Sequence, residues 1–257
     1  MNKKFLLDFR KKGFFIGKLN LIEKVKLDEI KKKIINILKK KLKKNVNLEN
    51  FHNIIEGKYL NSIRLEVFNK INKNKFNLEY YNMLSRFIEP IVGSENVIQK
   101  KINLSIQLPK DDTSLLPVHS DTWAGDSPFE IVIWLPLVDS KKTQSMFILP
   151  RDTRNFINFH KFTFKRNSEI MKKIKKDIQF INIKYGEVLV FSQNLPHGNV
   201  VNTEKKTRWS FNARVKSLMS PYSQKNLLDF FEIIEFCKVA DDQILDILRI
   251  VGSINVA

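Results

Sequence analysis

The residues of this chain best placed to do chemistry are His119 and Asp121, in His119-Ser120-Asp121-Thr122-Trp123, and His197, in Pro196-His197-Gly198. On a strand, His119 and Asp121 project to one face and Ser120 to the other, because successive side chains alternate. An imidazole and a carboxylate side by side, joined by the imidazole of His197, make a facial set of three ligands. Such a set leaves three adjacent positions of an octahedral ion open, which suits Fe(II) that must accept a co-substrate and oxygen. Spacing alone is weak support, since 27 acidic residues in 257 and four histidines give about 0.4 His-x-acid pairs by chance. His52 and His160 lack comparable neighbours and read as surface or packing residues.

The weight comes from residues downstream. Arg208, Ser210, Asn212 and Arg214 share one face of an expected strand over 208–216, and Trp209, Phe211, Ala213 and Val215 share the other. A guanidinium with a hydroxyl two residues on can grip a carboxylate by two parallel charge-assisted hydrogen bonds and a third from the hydroxyl. Arg214 is open to a co-substrate, a substrate or a neighbouring carboxylate. Gln107 lies on the polar face of another expected strand, where Ile102, Leu104 and Ile106 alternate with Asn103, Ser105 and Gln107. That face lines a cavity, with Gln107 on a co-substrate, or it meets solvent.

Positioning these residues requires a β core. Helical spacing predicts an amphipathic helix over 21–44 through Leu27, Ile30, Ile34, Ile37, Leu38 and Leu42, then helices over 61–71 and 77–91, the last ended by Gly93. After Gly93 the period changes to two. Strands are expected near 102–107, at His119, over 129–138, 146–149, 178–183, 188–191 and 208–216, with a Lys-rich helix over 168–176. Phe156, Phe159, Phe162 and Phe164 must bury somewhere. Ser220-Pro221 reads as an N-cap with Pro at the first helical position, opening a helix toward Cys237, and Asp241 or Asp242 caps a last helix to Gly252. About seven short strands with little helix between them suit a sandwich or open barrel, in one domain: helical support over 1–95, a β core over 96–217 and C-terminal helices over 218–257.

Composition excludes several classes. A hydrophobic fraction of 43% with 8 Gly and 8 Pro is globular, and no run approaches about 18 apolar residues as a membrane span would. Asp8 and Arg10 interrupt what would be the apolar region of a signal peptide, and a single Cys excludes an intramolecular disulfide framework, so a cytoplasmic protein is expected. The net charge of +18 attracts polyanions, but 36 of the 45 basic residues are Lys rather than the Arg suited to bidentate phosphate recognition. A solvated Lys-rich surface accounts for the charge, which is also compatible with an anionic substrate such as a nucleotide-linked sugar.

With these residues assembled, 102–216 resembles the 2-oxoglutarate-dependent Fe(II) oxygenase superfamily. Gly186-Glu187, Phe191, His197-Gly198, Asn202 and Arg208 fit its phytanoyl-CoA hydroxylase-like pattern. The segment from His119 to Glu130 resembles oxygenases of carbohydrate-biosynthesis clusters, similar to a streptomycin-biosynthesis oxygenase. The resemblance implies a double-stranded β-helix core of jelly-roll or cupin type with N- and C-terminal helices. It implies Fe(II) on His119, Asp121 and His197, 2-oxoglutarate held at its far carboxylate by Arg208 and Ser210, and O2 as co-substrate for oxidising a sugar or nucleotide-sugar intermediate. Asp121 disfavours halogenation, which in that superfamily goes with a small residue at this position. Trp123, Asp126 and Glu130 are candidate sugar contacts, with turn or packing roles as the alternative. Two other functions remain open: a nucleic-acid demethylase of the same superfamily, suggested by the Arg208-to-Arg214 strand and the charge, and a non-enzymatic Lys-rich binding module.

Overall fold

The computed structural model describes residues 3–153, 156 and 167–234. The expected burial of Phe159, Phe162 and Phe164, the packing of Cys237 and the last helix to Gly252 lie outside the described residues.

Lys3–Lys12 form helix α1, and Phe14–Lys18 form strand β1 inside the stretch expected as helical support. Helix α2 spans Leu21–Leu42 and starts at a capping box. The Asn20 side chain accepts from the Glu23 N–H at 2.9 Å, and the Glu23 carboxylate accepts from the Asn20 N–H at 2.7 Å, satisfying two donors left open at a helix start. Its buried stripe of Leu27, Ile30, Ile34 and Leu38 follows the expected spacing. Helix α3 is Leu60–Ile71 and helix α4 is Phe76–Val92, closed by Gly93 at φ +90°.

The β core has ten strands among the described residues. After β1 come β2 (Asn96–Gln99), β3 (Asn103–Gln107), β4 (Ile131–Pro136), β5 (Phe147–Ile148), β6 (Gln179–Phe180), β7 (Glu187–Ser192), β8 (His197–Gly198), β9 (Arg208–Ser217) and β10 (Phe231–Ile233). Helix α5, Asn167–Ile174, precedes β6. The larger sheet runs β1-β7-β4-β9-β2-β10 with β3 also on β9, and the smaller runs β6-β5-β8. Every pairing between these strands is antiparallel, giving two antiparallel sheets with flanking helices, consistent with a cupin-like fold.

Alternation along the central strands builds two separate environments. Ile131, Ile133 and Leu135 of β4, Val188 and Val190 of β7, and Trp209, Phe211, Ala213 and Val215 of β9 join the stripes of α2, α3 and α4 in the main core. The opposite phase, Val132 and Trp134 of β4 with Leu189 and Phe191 of β7, packs with Met146, Ile148 and Ile181 against the smaller sheet. One register therefore commits one face of the larger sheet to the helices and the other to the space between sheets.

Three expectations change. The chain at His119 is a single β-bridge followed by a 3-10 turn over Asp121–Ala124, rather than a strand. Ser220-Pro221 does not open a helix. The Ser220 hydroxyl donates to Ser217 O at 2.7 Å, closing a turn, and the chain continues without helix into β10, which pairs with β2. The edge strand β1 was invisible because Phe14-Phe15-Ile16 is too short and uniformly apolar to show a period of two. Among the described residues no helix is long and apolar enough to cross a membrane.

The seating of β1 depends on Gly17, where a Cβ would lie 2.2 Å from Phe87 Cε1 of α4. Gly17→Ala should destabilise the protein by about 1–3 kcal/mol through overpacking, measured by urea unfolding. An unchanged midpoint would show that β1 does not bear on α4.

Candidate metal centre

His119 and His197 face each other across an antiparallel bridge closed by two backbone hydrogen bonds, His119 N–H to His197 O at 2.9 Å and His197 N–H to His119 O at 2.8 Å. This sets the two imidazoles side by side with ring centroids 4.3 Å apart. Each Nδ1 lies on a backbone carbonyl two residues earlier, Pro117 O at 2.7 Å and Leu195 O at 2.9 Å. Donation from Nδ1–H to a carbonyl fixes the tautomer in which Nε2 carries the free lone pair, the arrangement of a metal-binding histidine. Burial, reinforced by the nearby His119, lowers the His197 pKa to about 4, so its ring is neutral and available as a ligand at physiological pH.

The turn after the bridge brings in the carboxylate. Ser120 is buried and donates to Gln193 O at 3.1 Å, while the 3-10 turn carries Asp121 back toward the histidines, with Oδ1 3.6 Å from His119 Nε2. One ligand atom from each of His119, Asp121 and His197 falls within a 4.8 Å cluster. Burial pushes the Asp121 pKa up, but His197, Arg214 and His119 outweigh it and hold the carboxyl below its usual range. Arg214 of β9 forms an ion pair with Asp121, its Nη2 3.1 Å from Oδ2, which holds the carboxylate's second oxygen. Two imidazoles and one carboxylate suit a divalent first-row ion, so the residues present fit such a metal.

The three ligands open onto a cavity of about 110 Å³ between the sheets. Val132, Trp134, Met146 and Phe191 make its apolar wall, and Arg208, Asn212, Arg214 and Ser105 supply polar groups. Arg208 is the electrostatic anomaly. It is 4% exposed, donates to Ser105 Oγ at 3.1 Å, and leaves its Nε without a hydrogen-bond partner. No carboxylate pairs with it among the described residues, and burial lowers its pKa to about 10. Ser210, two residues on along the same strand face, is fully buried with its hydroxyl unpartnered but does not itself line the cavity. A buried guanidinium with no carboxylate and only one hydroxyl acceptor, beside a buried hydroxyl with no partner, is costly unless something binds there.

The structure thus brings His119, Asp121, His197, Arg208 and Arg214 to one cavity. Gln107 stands opposite Arg208 in the β3–β9 register but donates to Val200 O at 2.7 Å, tethering the segment after His197 instead of lining the cavity. Trp123 packs against the cluster of Val118, Phe147 and Leu149. Asp126 pairs with Arg214 at 3.6 Å and with Lys225, and Glu130 is 1% exposed with neither oxygen hydrogen-bonded. None of these three lines the cavity. Ser105 and Asn212 do, and both were legible as members of polar strand faces. Asn199 was not: its side chain accepts from Leu116 N–H at 2.5 Å and donates to Ser114 O, holding the 114–116 loop beside the histidines.

No family model and no curated protein matches this chain. Solved structures do. EctD from S. alaskensis, with 2-oxoglutarate and 5-hydroxyectoine, is 14% identical with a TM-score of 0.57, covering 86% of this chain and 78% of its own. The nickel complex of the non-heme monooxygenase ThoJ is 13% identical with a TM-score of 0.52, covering 90% and 83%. HygX from Streptomyces hygroscopicus, with nickel and 2-oxoglutarate bound, is 11% identical with a TM-score of 0.51, covering 90% and 92%. The chain shares the fold of these proteins.

Two buried groups give the metal-free protein opposing pH dependences. Unfolded His197 takes up a proton below about 6.5, whereas the folded ring resists until about 4, so this group removes stability as pH falls through that window. Glu130 acts in reverse. Burial, with Asp126 adding, raises it from 4.5 to about 6, so the folded state keeps a proton that the unfolded state releases and gains stability as pH falls through that range. Urea unfolding across this range should show a shallower acid loss for His197→Asn and a steeper one for Glu130→Gln. Parallel profiles for both variants and the unmutated protein would contradict these assignments.

Proposed function

We propose that this chain is an Fe(II)- and 2-oxoglutarate-dependent oxygenase built on a double-stranded β-helix and acting on a small molecule. The observation that carries the reading is the buried Arg208. It lines the same cavity as the His119–Asp121–His197 cluster and has no carboxylate partner among the described residues. A diacid that reached the metal at one end and Arg208 at the other would complete both.

In this reading His119 and His197 hold the iron through Nε2, their Nδ1 atoms being committed to carbonyls, and Asp121 supplies the anionic ligand. Arg208 and Ser210 bind the far carboxylate of 2-oxoglutarate by charge-assisted hydrogen bonds. When bound, iron with 2-oxoglutarate and O2 supplies oxidation of an unactivated C–H bond, with release of succinate and carbon dioxide. Val132, Trp134, Met146 and Phe191 keep water from the reacting centre. Arg214 prevents Asp121 from turning its second oxygen inward. For the substrate we take a sugar or nucleotide-sugar intermediate, supported by the sequence pattern from His119 to Glu130; anionic character would suit the Lys-rich surface.

Anaerobic addition of Fe(II) and then 2-oxoglutarate should produce a visible charge-transfer band. His197→Ala should abolish it, and Arg208→Ala should raise the 2-oxoglutarate concentration needed by about 30-fold or more, the loss expected for truncating one side of a buried charge pair. With the band in hand, succinate release across nucleotide sugars and non-sugar small molecules assigns the substrate class. No band in the unmutated protein would overturn the oxygenase reading and favour a binding module.

A further inference from the structure

The segment that follows β9 is strapped onto the turn carrying Asp121. Pro221 O accepts from the Ser127 hydroxyl at 2.6 Å and from Lys216 Nζ at 2.6 Å, the latter a fully buried ammonium lying 3.7 Å from the centre of the Tyr222 ring. The Ser223 hydroxyl donates to Gly125 O, and Gln224 packs over Gly125, which holds a left-handed φ of +89° with no room for a Cβ. Lys225 Nζ reaches Asp126 Oδ2. Asp126 is 7% exposed, and that same oxygen stands 3.6 Å from Nε of Arg214, whose Nη2 is 3.1 Å from Asp121 Oδ2. Charges therefore alternate without a break: Lys225, Asp126, Arg214, Asp121.

The geometry points to Lys225 as a positioning residue for the metal-binding carboxylate, acting through Asp126 and Arg214 from a strap outside the metal cluster. The physical basis is competition for one guanidinium. Asp126 and Asp121 both attract Arg214, and in a site this buried neither attraction is strongly screened by water. Lys225 neutralises Asp126 and so leaves Arg214 committed to Asp121, with the long 3.6 Å contact to Asp126 as the weaker of its two pairings. Without the Lys225 charge, Asp126 draws the guanidinium toward itself. Asp121 Oδ2 then loses its only ion pair to a permanently charged side chain among the described residues, and the carboxylate becomes free to rotate away from the histidines. Groups that orient metal ligands in this way commonly matter about 10- to 100-fold in metal affinity.

This inference rests on the metal reading of the same site. The test is Co(II) titration of the full chain under anaerobic conditions, followed by the ligand-field bands of the bound ion, with unfolding curves confirming that each variant folds. Lys225→Met should weaken Co(II) binding by about 10-fold or more and shift the bands. Lys225→Arg should restore both, because the charge is what matters. The double variant Lys225→Met/Asp126→Asn should bind more tightly than Lys225→Met alone, since removing the competing carboxylate returns Arg214 to Asp121; a purely structural strap would make the second change additive. Lys225→Met binding Co(II) as the unmutated protein does, or a double variant weaker than the single, would overturn the positioning role while leaving the metal site intact. An unmutated protein that binds no Co(II) would overturn the metal reading and this inference with it.

Discussion

The site depends on one two-residue pairing, the bridge between His119 and His197. Its two backbone hydrogen bonds join a loop to the short strand β8, and without them the imidazoles would belong to unrelated segments 78 residues apart. The bridge tolerates little rearrangement because Gly198, next to it, sits against the backbone of Leu116 and Pro117 with no space for a Cβ. The same segments supply the carbonyls that orient both rings, from Pro117 and Leu195. Backbone, ring tautomer and ligand direction are thus specified together.

Strand β9 is the other half of the construction. Its apolar phase, Trp209 to Val215, anchors it in the main core; fully burying such side chains contributes about 1.5–3 kcal/mol each. That anchoring makes it possible to hold a charged row on the opposite face. Arg214 is ion-paired within the protein to Asp121 and Asp126, whereas Arg208 is desolvated without a partner carboxylate among the described residues. Two arginines six residues apart on one strand face are thus treated unequally: Arg214 serves the protein's own carboxylates, and Arg208 is the one to which the proposed function gives a co-substrate carboxylate.

Much of this was readable from residue types and spacing. The stripes of α2 to α4, the alternation of β4 and β9, and the joint placement of His119, Asp121, His197 and Arg208 followed from periodicity and from the rarity of histidine in the chain. What escaped was whatever tertiary contact decides. The short β1 and β2 show no period of their own, the strand expected at His119 is a bridge running into a 3-10 turn, and Ser220-Pro221 closes a turn because Pro221 O is claimed by Ser127 and Lys216. Likewise Asp126 and Glu130 follow the ligands closely in sequence, yet Asp126 pairs with Arg214 and Lys225 past the turn at Gly125, and Glu130 is buried away from the cavity. Local pattern identified which residues matter; the pairing partners determined what each faces.

In the proposed oxygenase, one cavity holds a divalent metal at one end and a diacid carboxylate at the other. A crystal structure of the protein with Ni(II) and 2-oxoglutarate tests it most directly. The metal is expected on His119, Asp121 and His197, and the far carboxylate of 2-oxoglutarate on Arg208 and Ser210. A metal bound elsewhere, or a diacid that leaves Arg208 with Ser105 alone, would contradict it.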